Sequence, residues 1–473
     1  MSVSDGTGMG AVSSDSGRYN WFYSFFLTNV PNGGTAPLIP LFLVVAFSGT
    51  VLQVGLVTAA TSVASIPAFI VWGNLSDHLH MRRVFIIEGF AGLAVSMLVM
   101  AFSVNFLMFF IANFLLGLLY TASAPAATAL LIEQTPRELW STMLGKFSRL
   151  GGAGYLAGLL LGALWFEALP STAFDMRLFF TTVGIIAVAG TFLAVFQIKE
   201  KRGETRSGRK GNHWNTIATV PLGLNERAKY LPSRIGSFAR LATPTSGERA
   251  ELGRRLMIYY LVTILISTGF TSFYAVYPNY LVDYLGPRYG IREPSVFIIY
   301  IGSSLASTLS YGAVSKFSSA IGEKKLQATA LAARVLLIPS FFAAPFFLHS
   351  SSEVFISMLG LNAAMGLCWA VISVTGQSIV AGMAGPHTRG EAIGLYNSSL
   401  GIGAISGALT AGLITELSGY FTDFLFSSLS IVSGMLVLAG LDVRSARVAP
   451  ASKTEENRRK GLMKRIRLMI GMN

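Results

Sequence analysis

The chain has 473 residues, of which 52% are hydrophobic and only 12% charged. An ordinary soluble domain carries about 25% charged residues, so this chain cannot coat a water-soluble globule, and its hydrophobicity equally excludes a disordered chain. The single cysteine, Cys368, excludes a disulfide framework and a Cys-based zinc cluster, and the five scattered histidines form no metal site, which leaves a polytopic membrane protein.

Residues 1–18 are polar, and the apolar run after them is too long for a signal peptide. A bilayer core takes about 20 apolar residues per helix. Such runs occur at 19–46, 51–73, 84–103, 106–132, 143–166 and 177–198, then at 256–284, 294–315, 326–348, 353–381, 390–415 and 421–442. They are apolar all round, whereas membrane strands alternate. The predicted fold class is therefore an all-α polytopic membrane protein, with twelve transmembrane helices in two six-helix pseudo-symmetric halves. The first half is 19–198 and the second 256–442. Residues 199–255 form a basic linker between them and 443–473 a basic tail.

Thirty-two of the 36 Lys and Arg fall on the side that holds both termini and the linker. By the positive-inside rule that side is the cytoplasm, and a cell-membrane protein with both termini inside is expected. The net charge of +13 therefore calls for no nucleic acid. In the linker, 233–241 either sets Ile235, Phe238 and Leu241 on one face of a short interfacial helix or stays a solvated coil. In the tail, Leu462, Ile466, Met469 and Ile470 share a face while Lys464, Arg465 and Arg467 lie elsewhere. That pattern fits a helix lying on anionic lipid headgroups.

The loop after span two carries Gly73, Asp77 and the pair Arg82 and Arg83. The loop after span eight echoes it with Gly312, Lys316, Gly322, Lys324 and Lys325. This pattern resembles the major facilitator superfamily, whose signature here is Gly-x-x-x-Asp-Arg-x-Gly-Arg-Arg; His78 and His80 replace its first Arg and its turn Gly. Duplicated halves with a central site belong to such transporters. The resemblance implies that Asp77 sits against the start of span eleven, near Arg389 and Glu391, and closes the cytoplasmic side there. Glu133 and Arg149, at the cytoplasmic ends of spans four and five, are further gate candidates. It also implies that spans one, four, seven and ten line a cavity. Span one offers Asn29 and Asn32, with Pro31, Gly33 and Gly34 expected to loosen the helix and free carbonyls. Span four offers Asn113 and Tyr120, span seven Phe273, Tyr274 and Tyr277, and span ten Asn362, Trp369 and Gln377. Arg334, deepest of the charges, either snorkels, pairs with an acid or meets an anionic substrate.

Spans five and eleven repeat one pattern. Gly145, Gly152, Gly154 and Gly158 recur at a constant offset of 249 as Gly394, Gly401, Gly403 and Gly407. Small residues permit close helix packing, and Gly154, Gly158, Gly403 and Gly407 are the candidate packing positions. The drug/proton antiporter signature is incomplete, because Asn113 stands where such antiporters carry Arg and Leu159 where they carry Pro. No phosphate-binding Gly-x-x-x-x-Gly-Lys-Ser/Thr loop occurs. The expected function is secondary active or facilitative transport of a small neutral or amphiphilic organic solute by alternating access. The chain would then be no enzyme, need no cofactor or metal, and leave a coupling ion such as H⁺ open. Proton-coupled multidrug efflux is the first alternative, and a receptor or scaffold that has lost transport is the second.

Overall fold

The computed structural model describes residues 19–79, 81–135, 140–198, 247–384 and 389–441. Segment 233–241, read as interfacial helix or coil, and the expected interfacial helix of the tail lie outside these residues. Every regular element among the described residues is an α- or π-helix. Among the described residues nine helices are long and apolar enough to cross a membrane, and a bent pair, Phe22–Thr35 and Leu38–Phe47, brings the count to ten when taken as one span. Two further spans emerge from geometry. Glu293–Ile321 is 29 residues long and covers the predicted span eight. Arg389–Gly440 runs for 52 residues, about 78 Å at 1.5 Å per residue, more than twice the roughly 30 Å hydrocarbon core.

That long element is two spans folded at Gly419, whose φ of 82° and ψ of 172° break the helix. Only glycine adopts this conformation without strain. Both arms pack on span seven, in opposite directions. Gly403 meets the Ile264 carbonyl and Gly407 the Thr268 carbonyl, so span eleven runs parallel to span seven. Ser427 Oγ donates to the Gly269 carbonyl at 2.5 Å and Ser430 Oγ to the Leu265 carbonyl at 2.8 Å, so span twelve runs antiparallel.

Proline positions set the breaks. A proline clashes with the carbonyl four residues before it. Pro40 acts in this way on Ala36, and the bend in span one falls there, at 48°. The sequence reading placed the loosening near Pro31, Gly33 and Gly34. Helix Phe22–Thr35 runs through all three, because Gly33 and Gly34 serve instead as close-packing sites against Tyr155 and Phe179. Span four breaks by the same rule, since Pro125 acts on Thr121 and the helix stops at Tyr120 before resuming at Ser123. There the Thr121 hydroxyl bonds the Gly117 carbonyl at 3.0 Å and Ser123 bonds the Tyr120 carbonyl at 2.8 Å. These bonds keep freed carbonyls satisfied inside the bilayer.

The glycine repeat has a structural counterpart. Gly154 and Gly158 meet the carbonyls of Phe26 and Val30, as Gly403 and Gly407 meet those of Ile264 and Thr268. Spans five and one thus pair in the first half as eleven and seven pair in the second. The loops on the side of the termini repeat as well. At the start of span three, Arg83 donates to the Val195 carbonyl at the end of span six. At the start of span nine, Lys324 donates to the Ala439 and Leu441 carbonyls at the end of span twelve. In each case a cation sits at the negative end of a helix.

Candidate functional site

The two halves close on each other at the end away from the termini. A Cβ on Gly55 of span two would lie 2.3 Å from the Ala408 carbonyl of span eleven, and the Leu52 amide donates to Glu416 at 3.3 Å. Across the other seam, Phe166 of span five stacks on Phe297 of span eight at 5.5 Å, and Gly162 gives that ring its room. Nearer the termini, by contrast, a Cβ on Gly145 or Gly394 would meet no heavy atom of the described residues within 4 Å. Inward of this seal, polar and aromatic side chains from both halves come together.

In the first half, Asn32 Nδ2 donates to the Tyr120 hydroxyl oxygen at 2.8 Å, joining span one to the break in span four. Asn29 Nδ2 donates to the Phe25 carbonyl at 2.7 Å. All three side chains are half-buried. On span five, Tyr155 packs over Gly33 and approaches Tyr274 of span seven and Tyr300 of span eight. In the second half, Tyr274 is half-buried and Trp369 is 40% exposed. The wall is therefore made of amides, phenols and one indole, contributed by spans one, four, five, seven, eight and ten.

Several predicted cavity residues lie behind that wall. Asn113 is buried and spends its amide on the Phe109 carbonyl of its own helix. Phe273 is buried in an aromatic core with Tyr277, Phe341 and Phe424. Tyr277 is also buried and accepts from Asn362 Nδ2 at 3.4 Å. Asn362 is buried too, and its side-chain oxygen has no partner. Gln377 is exposed toward the terminal end of span ten. Sequence reasoning missed Tyr155 and Tyr300, which sit on spans five and eight outside the four spans expected to line the cavity, and Asp423 of span twelve. Their signal was a polar residue within an apolar run. A separate groove of about 340 Å³, lined by Tyr284, Arg288, Phe342 and His349 among others, belongs to the outer end of the second half alone.

The gate residues divide. Arg82 is buried and pairs with Glu133 at 3.0 Å, and it also bonds the Ser76 hydroxyl at 2.9 Å. Arg83 reaches span six, so both arginines tie the loop to the first half itself. Arg149 is exposed. The side chains of Asp77, Arg389 and Glu391, and the surroundings of Gly73, lie outside the described residues. Glu133→Ala is expected to lower stability by about 1 kcal/mol, a modest figure because the carboxylate is half exposed. Thermal unfolding in detergent measures it, and an unchanged midpoint would show the pair to be energetically idle.

The sequence model of the Major Facilitator Superfamily matches residues 21–286 and again 259–472. Multidrug resistance protein MdtG of Enterobacter lignolyticus (strain SCF1) is 25% identical over 441 residues, covering 91% of this chain and 94% of that one. The solved nucleoside transporter NupG superposes with a TM-score of 0.68 at 15% identity, over 90% of this chain and 98% of its own. The inward open conformation of the xylose transporter XylE from E. coli does so with a TM-score of 0.66 at 12% identity, over 91% and 96%. Both structures share the fold.

Proposed function

The chain belongs to the Major Facilitator Superfamily, and from that premise we propose that it carries a small amphiphilic organic solute across the cell membrane, with both termini in the cytoplasm. It is an integral membrane protein and a transporter that works by alternating access. The observation that carries the choice of cargo is the wall of amides and aromatic rings, sealed at one end and built from both halves. Aromatic faces accept an apolar body, and the Asn32–Tyr120 pair offers a polar group its complement. Rocking the halves about this wall would open the Gly55 and Phe166 seams and close the terminal end, where Asp77, Arg389 and Glu391 form the gate. The basic tail rests on anionic lipid in this reading, and the carrier does no covalent chemistry.

Counterflow of amphiphilic aromatic compounds into proteoliposomes tests this. Saturable flux that falls with Asn32→Leu is the expected result. Compounds that bind and stabilise the protein but never cross would instead favour a receptor.

A second reading, proton-coupled drug efflux, draws on the name of the MdtG relative and on Asp423. This carboxylate lies four residues into span twelve and is fully buried. Oδ1 accepts from Ser272 at 2.5 Å and Oδ2 has no partner. Intramembrane carboxylates of this kind mark proton relays. Asp423→Asn is expected to abolish the acceleration of transport by an imposed pH gradient while sparing counterflow. An intact pH response would assign Asp423 a packing role.

A further inference from the structure

Arg334 lies eleven residues into the 25-residue helix Glu323–Phe347, about 16 Å along it and so near the bilayer midplane. It is only 1% exposed. A guanidinium has five N–H donors. Here Nη2 donates to the Met365 carbonyl at 3.0 Å, while Nε and Nη1 have no partner. Among the described residues no carboxylate pairs with it. A structural arginine at this depth ordinarily has an acid beside it, because an uncompensated cation in hydrocarbon is costly.

Aromatic rings make the surroundings instead. The guanidinium carbon lies 4.0 Å from the centroid of Phe270, 5.8 Å from Trp369 and 5.9 Å from Tyr274. Ring faces attract the charge, yet they leave part of the guanidinium's hydrogen-bonding edge bare. A flat guanidinium held by its face with donors free is the geometry that grips a carboxylate or similar oxyanion. The cage also meets the transport site, since Tyr274 and Trp369 belong to the partly open wall described above. One turn outward from Met365 on the same helix, the Asn362 oxygen likewise lacks a partner. Arg334 is the deepest Lys or Arg within a span, and among the described residues no second cation lies over these rings, so the site neutralises a single negative charge.

We infer that Arg334 is the anchor for an anionic head group, and that the cargo is an amphiphilic monoanion whose apolar body lies against Phe270, Tyr274 and Trp369. This rests on the transport reading above and narrows its cargo.

The test compares 2-naphthoate with its neutral isostere 2-naphthamide, using the full chain and its Arg334→Lys and Arg334→Met variants. Binding is read by calorimetry in detergent and flux in proteoliposomes. The wild type is expected to bind naphthoate about ten- to a hundredfold more tightly than the amide, the scale of a charge-assisted hydrogen bond. Arg334→Met should erase that preference while still binding the amide, and Arg334→Lys should restore part of it. Wild type with no preference, or Arg334→Met with the preference intact, overturns the anchor while leaving transport standing. Absence of binding and flux for both compounds overturns the cargo reading and the anchor with it. Without ligand, Arg334→Met should unfold no earlier than wild type, because it removes an unpaired buried charge. A large drop in its midpoint would make Arg334 a structural residue and overturn the anchor.

Discussion

Gly158→Ala is expected to destabilise the protein by about 3 kcal/mol, and Gly407→Ala by a similar amount, whereas Gly145→Ala and Gly394→Ala are expected to be neutral or slightly stabilising. A Cβ on Gly158 would sit 2.0 Å from the Val30 carbonyl and 2.7 Å from the Gly34 nitrogen. On Gly407 it would sit 2.3 Å from the Thr268 carbonyl and 2.9 Å from the Ser272 nitrogen. These obstacles are backbone, so relief requires two whole helices to part, and with them the packing of spans one and five or seven and eleven. Gly145 and Gly394 lie in the same repeat, but a Cβ there would meet none of the described residues within 4 Å. Alanine at either position gains helix propensity of up to about 1 kcal/mol. Unfolding midpoints of the four variants in one detergent decide the matter. Equal effects at all four sites would refute the packing assignment.

Gly55→Trp is expected to leave the protein folded and lower flux by roughly tenfold or more. Its wedge enters the seam between the halves, where Gly55 of span two crosses Ala408 and Gly412 of span eleven. Each half keeps its own interior, so stability should change little, while the sealed end can no longer close. Accessibility gives an independent check. Phe297→Cys, in a Cys368→Ser background, should react faster with an impermeant maleimide added on the side opposite the termini once Gly55 is Trp. Unchanged flux and labelling would show that this seam takes no part in the moving interface.

The candidate site was only partly legible because sequence reports which residues are polar within a span, not which way they turn. Asn29, Asn32, Tyr120, Tyr274 and Trp369 were singled out and do stand at least partly open. Asn113 and Asn362 carry the same signal, yet the amide of Asn113 is spent on its own helix and that of Asn362 on Tyr277 of span seven. Arg334 sits on span nine, outside the four spans expected to line the cavity. Its length lets it reach across to spans seven and ten, a contact that no pattern along one helix records.

Hydrophobic run length and the lopsided Lys/Arg distribution by themselves determined the membrane class, the span positions and the division into halves, because the bilayer imposes those constraints one segment at a time. The shared glycine register even announced the internal repeat. Tertiary structure alone decided what each repeated glycine does, since that depends on whether a partner backbone lies beside it. It also decided that the fold-back at Gly419 makes two spans of one long helical stretch, that the sealed end lies opposite the termini, and that Arg334 stands among rings with no acid among the described residues to pair it. Each of these is a relation between helices distant in sequence, fixed by packing and charge compensation.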